Sequence, residues 1–371
     1  MEGMEMNLFG GIYQGKRVLV TGHTGFKGSW LIFWLNRLGA EVHGIALDPP
    51  TTPNHISTLH FKYDSIILDI TRKEEFDAAL RRVSPEIIFH LAAQPLVRIS
   101  YERPYETYLT NIMGTVNVLD SARNLDSLKA VIIITSDKCY ENREWPWGYR
   151  ENEPMGGKDP YSSSKGCAEL VTAAFRHSYF DPGESNGRTS DVLIASARAG
   201  NVIGGGDWAQ DRIVPDLVKA ASVNNTLFIR YPNATRPWQH VLEPLSGYLL
   251  LGSRLLEGKR EFARAWNFGP DPGSNLPVID LVKEAIAVWP ATRYETIKTP
   301  QPHEAGYLML DSSMARKMLS WNTVWDFKTT IRRTIKWYKD YYEHSRIETV
   351  ADLNAFVKDA REKSLPWTKQ K

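Results

Sequence analysis

The feature that most restricts the fold is an alternation that runs through the first half of the chain. Apolar, β-branched runs of strand length take turns with segments of helical periodicity. Arg17–Thr21, Glu41–Leu47, Ser65–Asp69, Glu86–Leu91, Lys129–Ile134 and Asp191–Ser196 read as strands. Between them, Ser29–Leu38 carries an apolar stripe and ends at Gly39, a residue that stops helices. Arg72–Arg82 is charged and amphipathic and halts before Pro85. A long helix is expected from about Pro104 to Arg123, and another from about Tyr161. Strands separated by helices pair in parallel, with the helices covering both faces, and ligands then sit beyond the carboxyl ends of the strands.

The expected fold class is therefore α/β, a doubly wound parallel sheet of Rossmann type over residues 1–197. A smaller substrate-binding domain is expected over 198–371, with short strands of which Ala265–Phe268 is one, and the boundary is left open to later strands that rejoin the first sheet. With 371 residues there is enough chain for one large or two modest cores. Charged residues make up 24% and the formal net charge is only +2, which excludes recognition of nucleic acid or a membrane surface by bulk charge. The N-terminal MEGMEMNLFGGIYQGK has neither the basic start nor the apolar run of a secretory signal. Nor is there an apolar run of ~18 residues or more, the length a spanning helix needs. The two cysteines, Cys139 and Cys167, make no disulfide framework and no metal site, and they read as small apolar residues in a cytoplasmic protein.

The first strand runs into Thr21-Gly-His-Thr-Gly-Phe-Lys-Gly28 and then directly into a helix. Glycines at 22, 25 and 28 let the backbone double back and approach a pyrophosphate. The helix start offers unpaired N–H groups and a partial positive charge to that anion. The spacing is looser than the commonest dinucleotide fingerprint, but the context of strand before and helix after is right. Gly22, Thr24, Gly25, Phe26, Lys27 and Gly28 are the expected cofactor contacts. Asp48, at the end of the second strand, suits a ribose diol and repels a 2′-phosphate, which favours NAD over NADP. Asp69 has two readings, an adenine contact or a helix cap. His23 is expected to crowd the turn and weaken the hold on NAD.

Two further stretches carry chemistry. At the end of the fifth strand, Ser136, Asp137 and Lys138 place a hydroxyl, a carboxylate and an amine side by side. Tyr161 and Lys165 are i and i+4 at the start of a helix and so share a face. A lysine beside a phenol stabilises the phenolate and makes it a usable base. TGHTGFKG, Ser136 and YSSSK together resemble the extended short-chain dehydrogenase/reductases over essentially the whole chain. Within that family, SDKCYENREWPWGYRENEPMGGKDPYSSSK and ARAGNVIGGGDW resemble the branch that converts CDP-D-glucose to its 4-keto-6-deoxy form, an early step in deoxysugar (O-antigen, lipopolysaccharide) biosynthesis.

The resemblance implies catalytic NAD, a homodimer or dimer of dimers built through paired long helices, and a sugar-nucleotide substrate. It implies C4 oxidation by Ser136, Tyr161 and Lys165, with Lys165 also holding the cofactor ribose. Asp137 and Lys138 would then serve loss of water between C5 and C6. Lys138 is left as either the C5 base or a positioning group, since a lysine acts as a base only when neutral. The family pattern adds Ala92, Ala93 and Thr110 to the cofactor contacts, and Arg98, Asn201, Arg212, Arg236 and His303 to the substrate contacts. Asn111 faces the sheet. Trp145, Trp147, Trp208 and Trp238 either stack on the ligand or pack the smaller domain. A 4-epimerase would have no use for Asp137 and Lys138, and a non-catalytic NAD-binding protein would have no use for Ser136, Tyr161 and Lys165.

Overall fold

A computed structural model describes residues 7–181, 191–297 and 306–369. Its centre is a seven-stranded sheet made of β1 (Arg17–Thr21), β2 (Glu41–Ala46), β3 (Asp64–Ile67), β4 (Ile87–His90), β5 (Ala130–Ile134), β6 (Leu193–Arg198) and an edge strand, Ala265–Asn267. The order is edge strand, β6, β5, β4, β1, β2, β3, and every neighbouring pair is parallel. The sequence therefore reverses direction between β1 and β4, and a crevice opens there. The edge strand comes from the C-terminal half, so that half completes the sheet as well as covering it.

Alternation along each strand explains why both faces are covered. Val18, Val20, Ile87, Phe89, Ile132 and Ile134 point to one face, where α1 (Phe26–Arg37) and α8 (Leu242–Leu256) pack. Leu19, Ile88, Val131 and Ile133 point to the other, under α2 (Lys73–Val83) and α5 (Gly114–Ala122). Successive side chains on a strand face opposite ways, so a strand apolar at every position has to be buried on both sides. Each fully buried aliphatic side chain contributes about 1.5–3 kcal/mol.

The long helix expected from Pro104 is not uniform. It is preceded by α3 (Val97–Glu102), starts as α4 (Pro104–Tyr108), widens into a π-turn at Leu109–Met113, and resumes as α5. Such bulges re-aim side chains, and this one carries Thr110 and Asn111. Farther along, α7 (Ile213–Ser222), α9 (Val278–Val288) and α10 (Phe327–His344) enclose a second core around Trp208, Leu217, Leu281, Ile335 and Trp337. The last helix, α11 (Thr349–Glu362), returns to the first half, where Phe356 meets Trp34 with ring centroids 5.9 Å apart. Among the described residues, no helix is long and apolar enough to cross a membrane.

Candidate active site

The glycine turn lies in the crevice between β1 and β4. Gly22 has φ +72°, and a Cβ there would stand 2.7 Å from the Ala92 amide nitrogen. A Cβ on Gly28 would overlap the Gly22 carbonyl. Only hydrogen fits at either place, so the chain leaving β4 presses directly on the turn. Hydrogen bonds hold the shape: Gly22 N–H to Ile45 O at 2.8 Å, Ser29 N–H to Gly25 O at 2.9 Å, and the Thr24 hydroxyl to Leu47 O at 2.9 Å. Thr21 Oγ1, at the end of β1, bonds His90 Nδ1 at 2.7 Å and accepts from Ala92 N–H at 3.2 Å. Burial pushes His90 down to about 3, so it is a neutral brace.

A cleft of about 660 Å³ opens above this turn. Gly22, Thr24, Gly25, Phe26, Lys27, Gly28, Asp48, Asp69, Ala92, Ala93, Thr110, Tyr161 and Lys165 all line it. Its walls thus reach from the end of β2, where Asp48 is exposed, to α6 (Pro160–Phe175). A glycine cradle at a helix start, an acid suited to a diol and a string of small residues fit a dinucleotide. Lys27 adds positive charge. Burial, then the neighbouring Lys165 and Arg212, lowers its amine to about 7, opposed by Asp137. Asp69 lines the cleft but does not cap the helix: α2 has Arg72 at its N-cap, and Asp69 Oδ1 closes the turn before it, accepting from Thr71 N–H and Thr71 Oγ1–H at 2.9 and 2.8 Å.

The start of α6 is set locally. Asp159 is the N-cap, accepting from Ser162 N–H at 2.9 Å, and Pro160 occupies the first turn. That start turns Tyr161 and Lys165 together into the cleft, both less than 10% exposed. Asn111 ties the π-turn to this helix. It donates to Ser164 Oγ at 2.8 Å and to Gln94 O at 3.1 Å, and accepts from Gln94 N–H at 2.8 Å.

Ser136 caps a single 3₁₀ turn, Asp137–Cys139, at the end of β5. Its hydroxyl donates to Asp137 Oδ1 at 2.9 Å, and Ser136 lies close enough to Tyr161 to act on its phenol. Asp137 is 1% exposed and lies against Gly200, where a Cβ would collide with its carboxylate. Asn201 Nδ2 donates to its Oδ2 at 3.4 Å. Lys138 is half-buried, with its backbone N–H 3.3 Å from Ser136 Oγ. Burial pushes the Tyr161 phenol up to about 12, against the Ser136 hydrogen bond, and lowers the Lys165 amine to about 8, against the Glu169 charge.

The residues assigned to the substrate scatter. Arg212 lines the cofactor cleft and donates to Asp207 Oδ2 at 2.8 Å. Asn201, with φ +47°, sits at the turn that carries Asp137. Arg98 forms an ion pair with Asp211 at 3.0 Å, and Arg236 donates to Thr235 O at 3.0 Å; neither lines the cleft. His303 lies outside the described residues. His23 does not crowd the turn as expected: its ring is fully buried against Gly44, with Nε2 2.8 Å from Ser65 Oγ. Of the four tryptophans, Trp208 lines the cleft. Trp238 is buried and donates to Leu276 O at 2.9 Å, while Trp145 stacks between Trp147 and Tyr149.

Apart from Trp208, sequence reasoning missed the Gly206–Gln210 strap, and it missed the Pro50–His55 segment; both line the cleft. Three successive glycines before Asp207 were the available signal for the strap.

The match to known proteins accords with this geometry. Residues 19–249 fit the family profile described as GDP-mannose 4,6 dehydratase. The chain belongs to that family. It is similar to the CDP-glucose 4,6-dehydratase of Salmonella typhimurium, 52% identical over 330 residues that cover 88% of this chain and 91% of the relative. Two solved structures share its fold. An epimerase of Methanothermobacter thermautotrophicus has a TM-score of 0.78 at 23% identity, covering 90% of this chain and 95% of that one. The dTDP-glucose 4,6-dehydratase of Bacillus anthracis, solved in complex with NAD, has a TM-score of 0.71 at 20% identity, covering 88% and 97%. The resemblance to the extended short-chain dehydrogenase/reductases holds.

Proposed function

We infer that this chain is a sugar-nucleotide 4,6-dehydratase that uses NAD catalytically and converts CDP-D-glucose to CDP-4-keto-6-deoxy-D-glucose. One observation carries the reading. A buried carboxylate, Asp137, is hydrogen-bonded to Ser136, next to Tyr161 in a cleft built for a dinucleotide. An epimerase requires the hydroxyl, phenol and ammonium, but not the carboxylate. CDP-D-glucose follows from the 52% identity to the Salmonella typhimurium enzyme.

The residues divide the work as follows. Tyr161 Oη, held by Ser136 and supported by Lys165, takes the proton of the C4 hydroxyl as that carbon is oxidised to the ketone. NAD, when bound, supplies the positively charged ring that accepts the C4 hydride and later returns it to C6. The ketone acidifies the C5 hydrogen, and Lys138, as the neutral amine, removes it while Asp137 gives a proton to the departing C6 hydroxyl, which leaves as water. Lys138 returns its proton to C5, and the proton taken up by Tyr161 replaces, by way of solvent, the one Asp137 gave, so both groups are restored. Glycines 22, 25 and 28 with the start of α1 hold the diphosphate, Lys27 and Arg212 add charge, and Asp48 holds the ribose.

The enzyme works in the cytoplasm as a homodimer, and its product serves deoxysugar synthesis of the lipopolysaccharide type. Support for the dimer comes from exposed apolar side chains on neighbouring helices: Tyr101, Tyr105, Tyr108 and Met113 on one run, Leu170 on α6. The free cysteines accord with a reducing compartment. The deciding experiment offers CDP-, dTDP-, GDP- and UDP-glucose with NAD and scores 4-keto-6-deoxy product. Product from CDP-glucose is expected. An epimerised sugar without loss of water would refute dehydration, and equal turnover of all four would refute the choice of base.

A further inference from the structure

One turn beyond Lys165 on α6, Glu169 is 4% exposed and engaged on both oxygens. Thr135, directly before the catalytic Ser136, donates to Oε1. Ser196 Oγ and Arg198 Nη2 reach Oε2 at 2.7 and 2.8 Å. Arg198, 3% exposed, also donates to the Tyr140 hydroxyl and to Glu151 O at 3.0 Å, and its guanidinium lies 4.9 Å from the centre of the Tyr140 ring. The Tyr140 hydroxyl in turn donates to Asn267 Oδ1, 2.8 Å away in the edge strand. This pair therefore joins four pieces of chain: the catalytic helix, the end of β5, the exit of the catalytic turn and the far edge of the sheet.

A buried ion pair contributes little net stability compared with a well-packed apolar substitute, so its position is the informative feature. Glu169 and Lys165 are i+4 neighbours on one helix face. Besides Tyr161, whose phenol burial pushes up to about 12, the other titratable groups that face Lys165 are Cys139, His90 and Lys27. Burial holds the Cys139 thiol up and His90 down, so both are neutral, and Lys27 has the same sign as Lys165. Glu169 is then the anion facing that amine among the described residues.

We propose that the Glu169–Arg198 pair is a positioning device for catalysis. It sets α6 in register with the Ser136–Tyr140 turn and supplies the negative charge that keeps Lys165 an ammonium beside Tyr161. This rests on the proposed function only in giving Lys165 a task. Neither residue touches the reacting atoms.

The test titrates Lys165 itself. Reductive methylation with carbon-13 gives each lysine amine an NMR signal, and Lys165→Arg identifies the one to follow. Removing the facing anion favours the neutral amine. In Glu169→Gln, that signal is therefore expected to titrate at least about half a pH unit lower than in the parent. The alkaline limb of kcat should fall to lower pH with it, while KM changes less than about threefold. Glu169→Asp, which keeps the charge, is expected to recover most of the difference. If Glu169→Gln does not fold, the double variant Glu169→Gln/Arg198→Met leaves no unpaired buried charge and takes the same measurement. A folded variant whose Lys165 titrates as in the parent overturns the proposal. The NMR titration needs no turnover, so a protein that dehydrates no sugar nucleotide would refute the proposed function and leave this result standing.

Discussion

At the glycine-turn end of the cleft, the wall is backbone and small side chains, and its acid, Asp48, is exposed to solvent. At the other end, Ser136, Asp137, Tyr161 and Lys165 are each less than 10% exposed, and Ser136 donates to Asp137 at 2.9 Å. The first end has to admit a large anion, so it offers dipoles and empty space where a Cβ would intrude. The second has to move protons, so it removes water and lets neighbouring groups set each charge. A change at the first end should therefore register as cofactor affinity, and a change at the second as turnover.

The sharpest way to break that division is Tyr161→Phe. It removes one hydroxyl from the catalytic end, and kcat for keto-sugar formation is expected to fall about 10²- to 10⁴-fold with NAD still bound. Activity within a few-fold of the parent would remove the phenol from the mechanism. Asp137→Asn and Lys138→Met sharpen the same end. Both should still oxidise C4 and then stall, so reduced-cofactor absorbance builds up without loss of water; normal turnover in Lys138→Met would assign Lys138 a positioning role.

Gly28→Ala tests the other end. Its Cβ overlaps the Gly22 carbonyl, and the backbone shift should cost about 1–3 kcal/mol in unfolding while raising the Kd for NAD by about tenfold or more. Unchanged NAD binding by calorimetry would count against the cradle. Lys27, with its amine lowered to about 7, predicts a pH dependence at this same end. It is charged below that value and neutral above it, so NAD binding should weaken as pH rises from 6 to 8.5, and Lys27→Met should flatten the slope. The smallest effect belongs to Arg98→Ala. Its partner Asp211 is itself partly exposed, and such a pair contributes about 1 kcal/mol or less, so KM and kcat should stay within about threefold.

How much of this was legible in the sequence differs by region. Strands β1, β4 and β5 were readable because each is apolar at successive positions and closed by a glycine, a proline or a polar cluster. The glycine turn and the Tyr161–Lys165 face were readable from short spacing, since each is contained within eight residues, whereas Ala92, Ala93 and Thr110 came from the family pattern. Asp159-Pro160 even signalled the helix start that aims the pair. Other features depended on contacts between distant segments. The π-turn at Leu109–Met113 has no local marker, and it is what brings Thr110 to the cleft and Asn111 to α6. His23 looked like an obstruction because a linear reading cannot show which way a ring turns; a bare Gly44 on β2 gave it a place in the core.

The sequence alone determined the parallel sheet, the phosphate turn and the pairing of phenol with ammonium, because each depends on periodicity or on neighbours within one helical turn. Only the tertiary structure decided that Asp207 and Arg212 close on the cofactor cleft, and that Asn201 reaches Asp137. The same holds for Glu169 and Arg198, which bind the catalytic helix to its turn. Each of those partnerships joins charged or polar groups far apart in the chain. Which partner a buried charge finds depends on which segments the packed core brings within hydrogen-bonding distance.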